Sequence, residues 1–215
     1  MIKGIIFDLD GVLVSTDELH YNAWKKLAEE LNIHNFTKED NEKQRGVSRL
    51  ASLEIVLKKG DKTYSEDEKV KLADKKNGYY VDSLKELNQS AVLRGVFSSL
   101  TELKRRNLLL SVGSASKNAP MILEKTGLLP YMTQVSCGLD TVKSKPDPEV
   151  FVIAARKMGL DPKECLVIED SAAGVEAAKR ANMRSLGVGP YYDTLGADYE
   201  ARDLGTVNNW SQILA

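Results

Sequence analysis

Acidic side chains stand directly behind the first apolar run of this sequence. Asp8 and Asp10 follow MIKGII within the segment FDLDG. In an extended chain alternate side chains lie on the same face, so these two carboxylates are expected on one side of a strand end. Two carboxylates on one face repel each other unless a cation lies between them or one carries a proton. Because Asp and Gly are also common turn residues, the segment alone equally fits a solvated turn.

Polar and charged side chains also follow three later apolar runs. Open α/β sheets bind ligands beyond the carboxyl ends of their strands, so these segments are expected to meet Asp8 and Asp10. Each segment alone would also fit a polar loop or a helix start, where acidic residues suit the helix dipole. The segments are VGSASKN, which contains Ser114, Ser116, Lys117 and Asn118; TVKSKPDPEVF, which contains Lys145; and IEDSAAG, which contains Glu169 and Asp170.

Together these residue types predict a site for a divalent cation and a phosphate. Mg²⁺ prefers oxygen ligands and commonly takes one or two carboxylates with phosphate and water, which Asp8, Asp170 and Glu169 could supply. A carboxylate can also attack phosphorus to form an acyl phosphate, provided that cations such as Mg²⁺ and Lys145 compensate the charge. Asp10 could then transfer a proton, while Ser114 and backbone N–H groups could hold phosphoryl oxygens.

The elements that must position these residues alternate between strands and helices. Five apolar runs predict strands, and their continuous hydrophobicity is typical of a parallel sheet buried on both faces. Three helical patterns lie between the later runs, and we therefore predict an α/β fold with a doubly wound, mainly parallel sheet. The predicted strands are 2–9, 108–113, 133–136, 165–168 and 184–188, and the predicted helices are 119–126, 148–158 and 173–181.

Residues 17–88 interrupt this alternation with charged, helical patterns. Leu19, Ala23, Leu27 and Leu31 recur at the spacing of a helix face. A helical block between the first and second strands is typical of an inserted cap. We therefore predict an α/β core formed by residues 1–15 and 90–215, with a helical cap formed by residues 16–89.

The composition is typical of a water-soluble globular protein. The 215 residues are 42% hydrophobic and 28% charged, with a formal net charge of −1. This balance predicts neither a nucleic-acid partner nor a membrane partner, and no apolar run approaches the roughly 20 residues of a membrane span. Cys137 and Cys165 are not spaced as a metal or disulfide motif. We expect a cytoplasmic protein, and a monomer, because no long apolar stripe is left over.

The order of these motifs resembles the haloacid dehalogenase-like phosphotransferase superfamily. Its members carry DxD after the first strand, Ser or Thr after the second, then Lys, and finally ED or DD after the fourth. The resemblance implies a Rossmann-like core with a cap of the C1 type. It also implies that Asp8 is the nucleophile and Asp10 the general acid/base. Mg²⁺ would be held by the Asp8 carboxylate, the Asp10 carbonyl and Asp170, with Glu169 nearby.

Within that superfamily the chain resembles the β-phosphoglucomutases, on segments that span nearly its full length. These segments are FDLDGV, YNAWKKLAEEL, GVSR, SASKN, SKPDPEVF and EDSAAG. The resemblance implies Mg-dependent interconversion of β-glucose 1-phosphate and glucose 6-phosphate, with small-molecule sugar phosphates as the only partners. It assigns Thr16 to the hinge, and His20 and Lys76 to coupling cap closure with the position of Asp10. The implied sugar pocket consists of Trp24, Gly46, Val47 and Ser48.

The same resemblance implies two phosphate-binding sets. Arg49 on the cap would bind the phosphate remote from the reacting one, since a guanidinium pairs with phosphate through two hydrogen bonds. The remote-phosphate set also includes Ser116, Lys117 and Asn118, and the reacting phosphate would contact Ser114 and Lys145. Ala115 is also predicted to bind the substrate or a phosphate. By their sequence alone, Arg49 fits a solvated cap arginine equally well, and His20 fits a packed histidine.

One other function remains open at this point, and two more are disfavoured. A phosphatase would use the same core with water, instead of a sugar, attacking the aspartyl phosphate. A phospho-receiver switch also phosphorylates an aspartate, but such domains are about half this length and have no inserted cap. A dinucleotide-binding domain is disfavoured because GVGP at 187–190 lacks the GxGxxG pattern.

Overall fold

Six parallel strands form one sheet in the computed structural model, which describes residues 1–215. The strand order β3-β2-β1-β4-β5-β6 places β1 at the centre, between β2 and β4. The order runs in opposite directions on the two sides of β1, and such a switch point opens a crevice beyond the strand ends. The strands are β1 (Gly4–Phe7), β2 (Leu109–Gly113), β3 (Gln134–Ser136), β4 (Cys165–Glu169), β5 (Arg184–Gly187) and β6 (Tyr199–Glu200).

Helices cover both faces of this sheet. Side chains alternate along β1, so Ile5 and Phe7 join one core cluster while Ile6 joins another on the opposite face. The predicted doubly wound α/β fold is thereby confirmed. The helices are α1 (Asp17–Glu30), α2 (Lys38–Glu42), α3 (Arg49–Leu57), α4 (Glu66–Ser83), α5 (Val96–Arg105), α6 (Ala119–Lys125), α7 (Glu149–Met158), α8 (Ala172–Arg180) and α9 (Trp210–Leu214).

The first four helices have a hydrophobic cluster of their own. Trp24 and Leu27 of α1 pack there with Leu53 and Val56 of α3 and with Ala73 of α4. Ser65 begins α4 with a capping box, in which its side chain and that of Glu68 bond each other's backbone N–H groups. These helices lie between β1 and β2 in the chain, as the inserted charged patterns predicted. None of the helices of the chain combines the length and the apolar composition of a membrane span.

Each of the five predicted strands is present. The first is shorter than predicted, because Asp8 and Asp10 lie beyond the last residue of β1. Helices α6, α7 and α8 match the predicted segments within a residue or two. The sequence prediction missed the edge strand β6 and helix α5.

Candidate active site

Asp8, Lys145 and Glu169 form a buried chain of charges beyond the strand ends. Asp8 directly follows β1, and Glu169 is the last residue of the neighbouring β4. Nζ of Lys145 donates to Oδ1 of Asp8 and to Oε1 of Glu169, at 2.5 Å in each case. The Lys145 side chain is only 1% exposed. Burial lowers the pKa of this ammonium group, but the two carboxylates outweigh burial and raise that pKa above its usual value.

The Asp8 carboxyl group is poised between its two protonation states. Burial raises its pKa, Lys145 lowers it and Glu169 raises it further, which leaves the pKa at about 7. Lys145 contacts only Oδ1 of this carboxylate, and Asp8 lines a cavity of the protein. The Asp8 carboxylate is therefore accessible to a ligand in this cavity and has a cation beside it.

Glu169 is fully engaged by other groups of the protein. Its Oε1 is bound to Lys145, and its Oε2 accepts from the N–H groups of Asp170 and Ser171 and from Oγ of Ser171 at 2.8–2.9 Å. The residue is completely buried and does not line the cavity. These contacts do not support the metal-ligand role predicted for Glu169, because both of its oxygens already have partners. They fit a role in fixing Lys145 and the start of α8.

Asp170 forms an ion pair with Arg45, which lies in the loop after α2. Nη1 of Arg45 lies 2.5 Å from Oδ2 of Asp170, which is 4% exposed. Burial together with the charges of Glu169 and Asp8 raises the pKa of Asp170 well above its usual value, and Arg45 opposes this shift. The sequence prediction did not include Arg45, although it directly precedes the GVSR segment.

Asp10 is held by the residue that the resemblance placed at the hinge. Oγ1 of Thr16 donates to Oδ1 of Asp10, and Thr16 is buried. Burial raises the pKa of Asp10 to about 6, the Thr16 hydrogen bond lowers it and the charge of Asp17 raises it. Asp10 therefore changes its charge close to neutral pH, as a group that both accepts and donates protons must.

His20 of α1 and Lys76 of α4 contact each other and line the same cavity as Asp10. Nζ of Lys76 lies 2.9 Å from Nδ1 of His20, whose ring stacks on Tyr80 with 4.0 Å between centroids. Burial, followed by the charges of Lys76 and Arg49, lowers the pKa of His20 well below its usual value. Burial also lowers the pKa of Lys76, to about 7. Lys76 lies 4.5 Å from the ring centroid of Trp24, which is itself buried.

The loop after β2 is organised by its own serines. The Ser114 hydroxyl accepts from the N–H of Ser116, and the Ser116 hydroxyl accepts from the N–H of Asn118. Nδ2 of Asn118 donates to Oδ1 of Asn77 on α4 at 2.9 Å. The phosphate-binding loop predicted from the sequence therefore touches the helical block directly.

The loop 46–49 approaches the same region from the helical block. Gly46 has φ +72°, and a Cβ added there would lie 2.8 Å from Oγ of Ser171. Ser48 begins α3 by accepting from the N–H of Ala51, and Arg49 binds Asp74 at 3.2 Å. The backbone at Gly46 therefore lies close to Ser171, which places this loop next to the strand ends.

A single cavity of about 440 Å³ joins these groups. Of the predicted site residues, Thr16, Lys145 and Glu169 lie behind its wall, while the others line it. The lining also includes ten polar residues that the prediction missed, and some of them adjoin predicted residues in the sequence, as Arg45 adjoins Gly46 and Asn77 adjoins Lys76. The predicted lining residues are Asp8, Asp10, His20, Trp24, Gly46, Val47, Ser48, Arg49, Lys76, Ser114, Ala115, Ser116, Lys117, Asn118 and Asp170, and the missed polar ones are Asp17, Asn41, Gln44, Arg45, Ser52, Asp74, Asn77, Thr141, Lys143 and Ser144.

The donor groups of the site are compatible with a magnesium ion. No three or more His, Cys, Asp or Glu side chains come together as a metal cluster, so the predicted carboxylate trio is not assembled. Asp8 and Asp170 are nevertheless two buried carboxylates, and burial followed by the charges of Glu169 and Asp8 raises the pKa of Asp170. Mg²⁺ commonly binds one or two carboxylates and completes its shell with phosphate and water, so this smaller set fits it.

Sequence comparison identifies the family. A model of the family described as haloacid dehalogenase-like hydrolase matches residues 5–188. The chain belongs to this family. The match extends from β1 through the helical block to the end of β5, and it includes all the predicted site residues.

Individual members of the haloacid dehalogenase-like family resemble the chain over most of its length. A β-phosphoglucomutase of Bacillus subtilis (strain 168) is 37% identical over 203 residues, which cover 94% of this chain and 89% of the relative. The crystal structure of β-phosphoglucomutase from Clostridium difficile superposes with a TM-score of 0.92 at 37% identity, covering 99% and 96% of the two chains. A phosphorylated carbohydrates phosphatase of Thermotoga maritima is 28% identical over 188 residues, or 86% of this chain and 84% of the relative. The chain is therefore a homologue of both mutases and phosphatases.

Proposed function

We propose that the protein is a Mg-dependent β-phosphoglucomutase. It interconverts β-D-glucose 1-phosphate and glucose 6-phosphate through an aspartyl phosphate on Asp8 and a β-glucose 1,6-bisphosphate intermediate. One observation carries the proposal: the cavity that contains Asp8 and Asp10 is also lined by Arg49 and Lys117, which suit a second phosphate. The 37% identity to two β-phosphoglucomutases supports the same activity.

Asp8 and Asp10 divide the transfer between them. Phosphorylated Asp8 gives its phosphoryl group to a hydroxyl of the bound sugar phosphate, while Asp10 accepts the proton of that hydroxyl. The bisphosphate then presents its other phosphate. Asp8 attacks this phosphorus, the bond from phosphorus to the sugar oxygen breaks, and Asp10 returns the proton to that oxygen. The pKa of Asp10, about 6, suits both directions of this proton transfer.

Lys145 and Ser114 are proposed to contact the transferring phosphoryl group, with the Ser114 hydroxyl binding one of its oxygens. Lys145 compensates the negative charge that builds up when a carboxylate approaches a phosphate, and its bond to Glu169 fixes its position. We assign the metal site to the carboxylates of Asp8 and Asp170 and to the backbone carbonyl of Asp10. A bound Mg²⁺ would neutralise charge on the transferring phosphoryl oxygens.

Residues 16–89 are proposed to act as the cap. Because water competes with the sugar hydroxyl for the aspartyl phosphate, closing the cap over the cavity protects the intermediate. Thr16 serves as the hinge, and His20 with Lys76 links closure to the position of Asp10. Trp24 and the loop 46–48 shape the sugar pocket, and Ala115 contributes backbone to the phosphate loop. The remote phosphate is bound by Arg49, Ser116, Lys117 and Asn118.

The deciding experiment is an NMR time course. The protein is mixed with β-glucose 1-phosphate, Mg²⁺ and a trace of β-glucose 1,6-bisphosphate, and the phosphorus signals are followed. We expect glucose 6-phosphate as the main product, and no turnover in Asp8→Asn. Asp82→Asn is the matched control, since Asp82 is 69% exposed and pairs only with Lys85. Near-normal turnover of Asp8→Asn would refute the covalent mechanism.

A phosphatase acting on small sugar phosphates is the second candidate, supported by the homologous phosphorylated carbohydrates phosphatase. Inorganic phosphate as the main product of the same time course would decide for it. Arg49→Ala separates the two further. In a mutase this change should reduce turnover of sugar phosphates by about 10–100-fold, which corresponds to the free energy of a hydrogen bond to a charged group. Hydrolysis of a small aryl phosphate should be unaffected. Equal losses on both substrates would remove the role of Arg49.

We further propose that the enzyme works in the cytoplasm as a monomer, with sugar phosphates as its partners. The near-zero formal charge of −1 supports the absence of nucleic-acid and anionic-membrane partners. Light scattering coupled to size exclusion would test the monomer, and a mass near 48 kDa, about twice that of the 23.8 kDa chain, would contradict it.

A further inference from the structure

Arg45 connects three elements through three carboxylates. Its Nη1 lies 2.5 Å from Asp170 beyond β4, its Nη2 lies 2.5 Å from Asp17 in the first turn of α1, and its Nε lies 2.7 Å from Glu42 at the end of α2. The side chain is 18% exposed, so water screens these contacts only weakly. Among them, the bond to Asp170 is the one that ties the helical block to the sheet.

The Arg45–Asp170 contact lies against the backbone that follows Asp10. A Cβ added to Gly11 would come within 2.0 Å of Oδ2 of Asp170 and within 3.0 Å of Nη1 of Arg45. The guanidinium therefore borders the Asp10–Gly11 segment and the Asp170 carboxylate, which supply two of the three ligands proposed for the divalent cation. A guanidinium and a divalent cation at such short range repel each other.

We infer that Arg45 and the divalent cation compete for Asp170. In the metal-free protein Arg45 neutralises Asp170 and holds the helical block onto the sheet. When a divalent cation binds, Arg45 gives up Asp170 and keeps Asp17 and Glu42, so its charge stays paired. Metal binding and the Arg45–Asp170 contact are then linked, and each weakens the other by the same factor. The inference rests on the metal site of the proposed function.

The affinity for Mn²⁺, measured by electron paramagnetic resonance titration without substrate, tests this competition. Arg45→Gln removes the competing charge and should tighten Mn²⁺ binding at least about 5-fold, the lower end of typical coupling between sites. Arg49→Gln is the matched control, because it also removes a guanidinium from this cavity, but one that pairs with Asp74 and not with Asp170. The affinity of this variant for Mn²⁺ should stay near that of the wild type. A gain in affinity is not what a damaged fold would produce.

The position of the helical block provides an independent readout. Spin labels at Glu66→Cys and Leu139→Cys, both strongly exposed, report the distance across the cleft, while the two native cysteines are buried. We expect Arg45→Gln without metal to show the longer distances that the wild type reaches only with Mn²⁺.

The possible outcomes separate the two proposals. Mn²⁺ binding to the wild type with unchanged or weaker binding to Arg45→Gln would overturn the competition and leave the proposed metal site intact. No Mn²⁺ binding by any variant would overturn both. Unchanged distances in metal-free Arg45→Gln would refute the role of Arg45 in holding the helical block.

Discussion

Nζ of Lys76 lies 2.9 Å from Nδ1 of His20, and no carboxylate forms an ion pair with this lysine. While Lys76 carries its ammonium charge it can only donate, so Nδ1 of His20 accepts the hydrogen bond and His20 is neutral, in agreement with its strongly lowered pKa. The ammonium group also lies against the faces of Trp24 and Tyr80. Burial and the charge of Arg49 lower its pKa, and the smaller effect of the Asp10 charge raises it. A cation with so little compensation is expected to destabilise the empty protein and to gain a partner when an anionic substrate enters.

Lys76→Met should therefore stabilise the protein and weaken its activity. The folded-state pKa of about 7 lies below the usual lysine value of 10.5, so the folded protein loses stability as the pH falls from 10.5 towards 7. We expect the variant to gain about 2–4 kcal/mol in free energy of unfolding at pH 6 and under about 1 kcal/mol at pH 10. Its kcat/KM for sugar phosphates should fall about 10–100-fold. Urea unfolding at both pH values measures the first effect, and a pH-independent difference would contradict it.

Lys145→Met should have the opposite effect on stability. The substitution leaves Asp8 and Glu169 buried without their cation, which is expected to cost about 3–5 kcal/mol of unfolding free energy at pH 8. The folded-state pKa of Asp8 is raised even beside Lys145, and a carboxyl group of this kind destabilises the protein fully above its folded-state pKa and not at all below its unfolded-state pKa. The loss should therefore shrink towards pH 4. Lys157→Met is the control, because Lys157 and Asp140 form a half-exposed pair that contributes about 1 kcal/mol or less. Equal losses in the two variants would refute this account.

The sheet could be predicted because its strands are buried runs. Residues 165–169 of β4 are all buried, so their unbroken hydrophobicity is visible in the sequence, as is the acidic pair that follows. Strand β6 has only two residues and offers no pattern to recognise. Helix α5 buries Val96, Leu100 and Leu103 at regular helical spacing, a signal that was present and overlooked.

The candidate site was less predictable where long-range pairs decide a residue's role. Arg45 and Asp170 lie 125 positions apart, and nothing local to Arg45 distinguishes it from a solvated arginine. Glu169 is likewise chemically suited to a metal ion, and only its bonds to Lys145 and Ser171 reveal that its oxygens are occupied. Residue type and order predicted the polar side chains that follow the strands, and the family resemblance predicted those that the helical block contributes to the cavity, whereas the partner of each charge required the fold.

The pH dependence of kcat/KM should report the ionisation of Asp10. Only the deprotonated carboxylate can accept the proton of the sugar hydroxyl, so kcat/KM of the phosphoenzyme for β-glucose 1-phosphate should fall as the pH drops below about 6. The substrate phosphate titrates in the same range. Thr16→Val distinguishes the ionisation of Asp10 from that of the substrate. Loss of the Thr16 hydrogen bond raises the pKa of Asp10, so the acidic side of the pH profile should move to higher pH, while the substrate is unchanged. If the acidic side of the profile stays in place, the ionisation belongs to the substrate.

Two helical glycines should respond in opposite directions to replacement by alanine. A Cβ on Gly174 of α8 would lie 1.9 Å from the carboxyl group of Glu169, whereas a Cβ on Gly78 of α4 meets nothing within 4 Å. Gly78→Ala should thus stabilise the protein by about 0.5–1 kcal/mol, since alanine loses less backbone entropy in a helix. Gly174→Ala should destabilise it by about 1–3 kcal/mol through overpacking, and should also lower turnover because Glu169 can no longer hold Lys145 in place. Urea unfolding and the NMR assay measure both effects, and a Gly174→Ala protein as stable and active as Gly78→Ala would show that Glu169 does not need its present position.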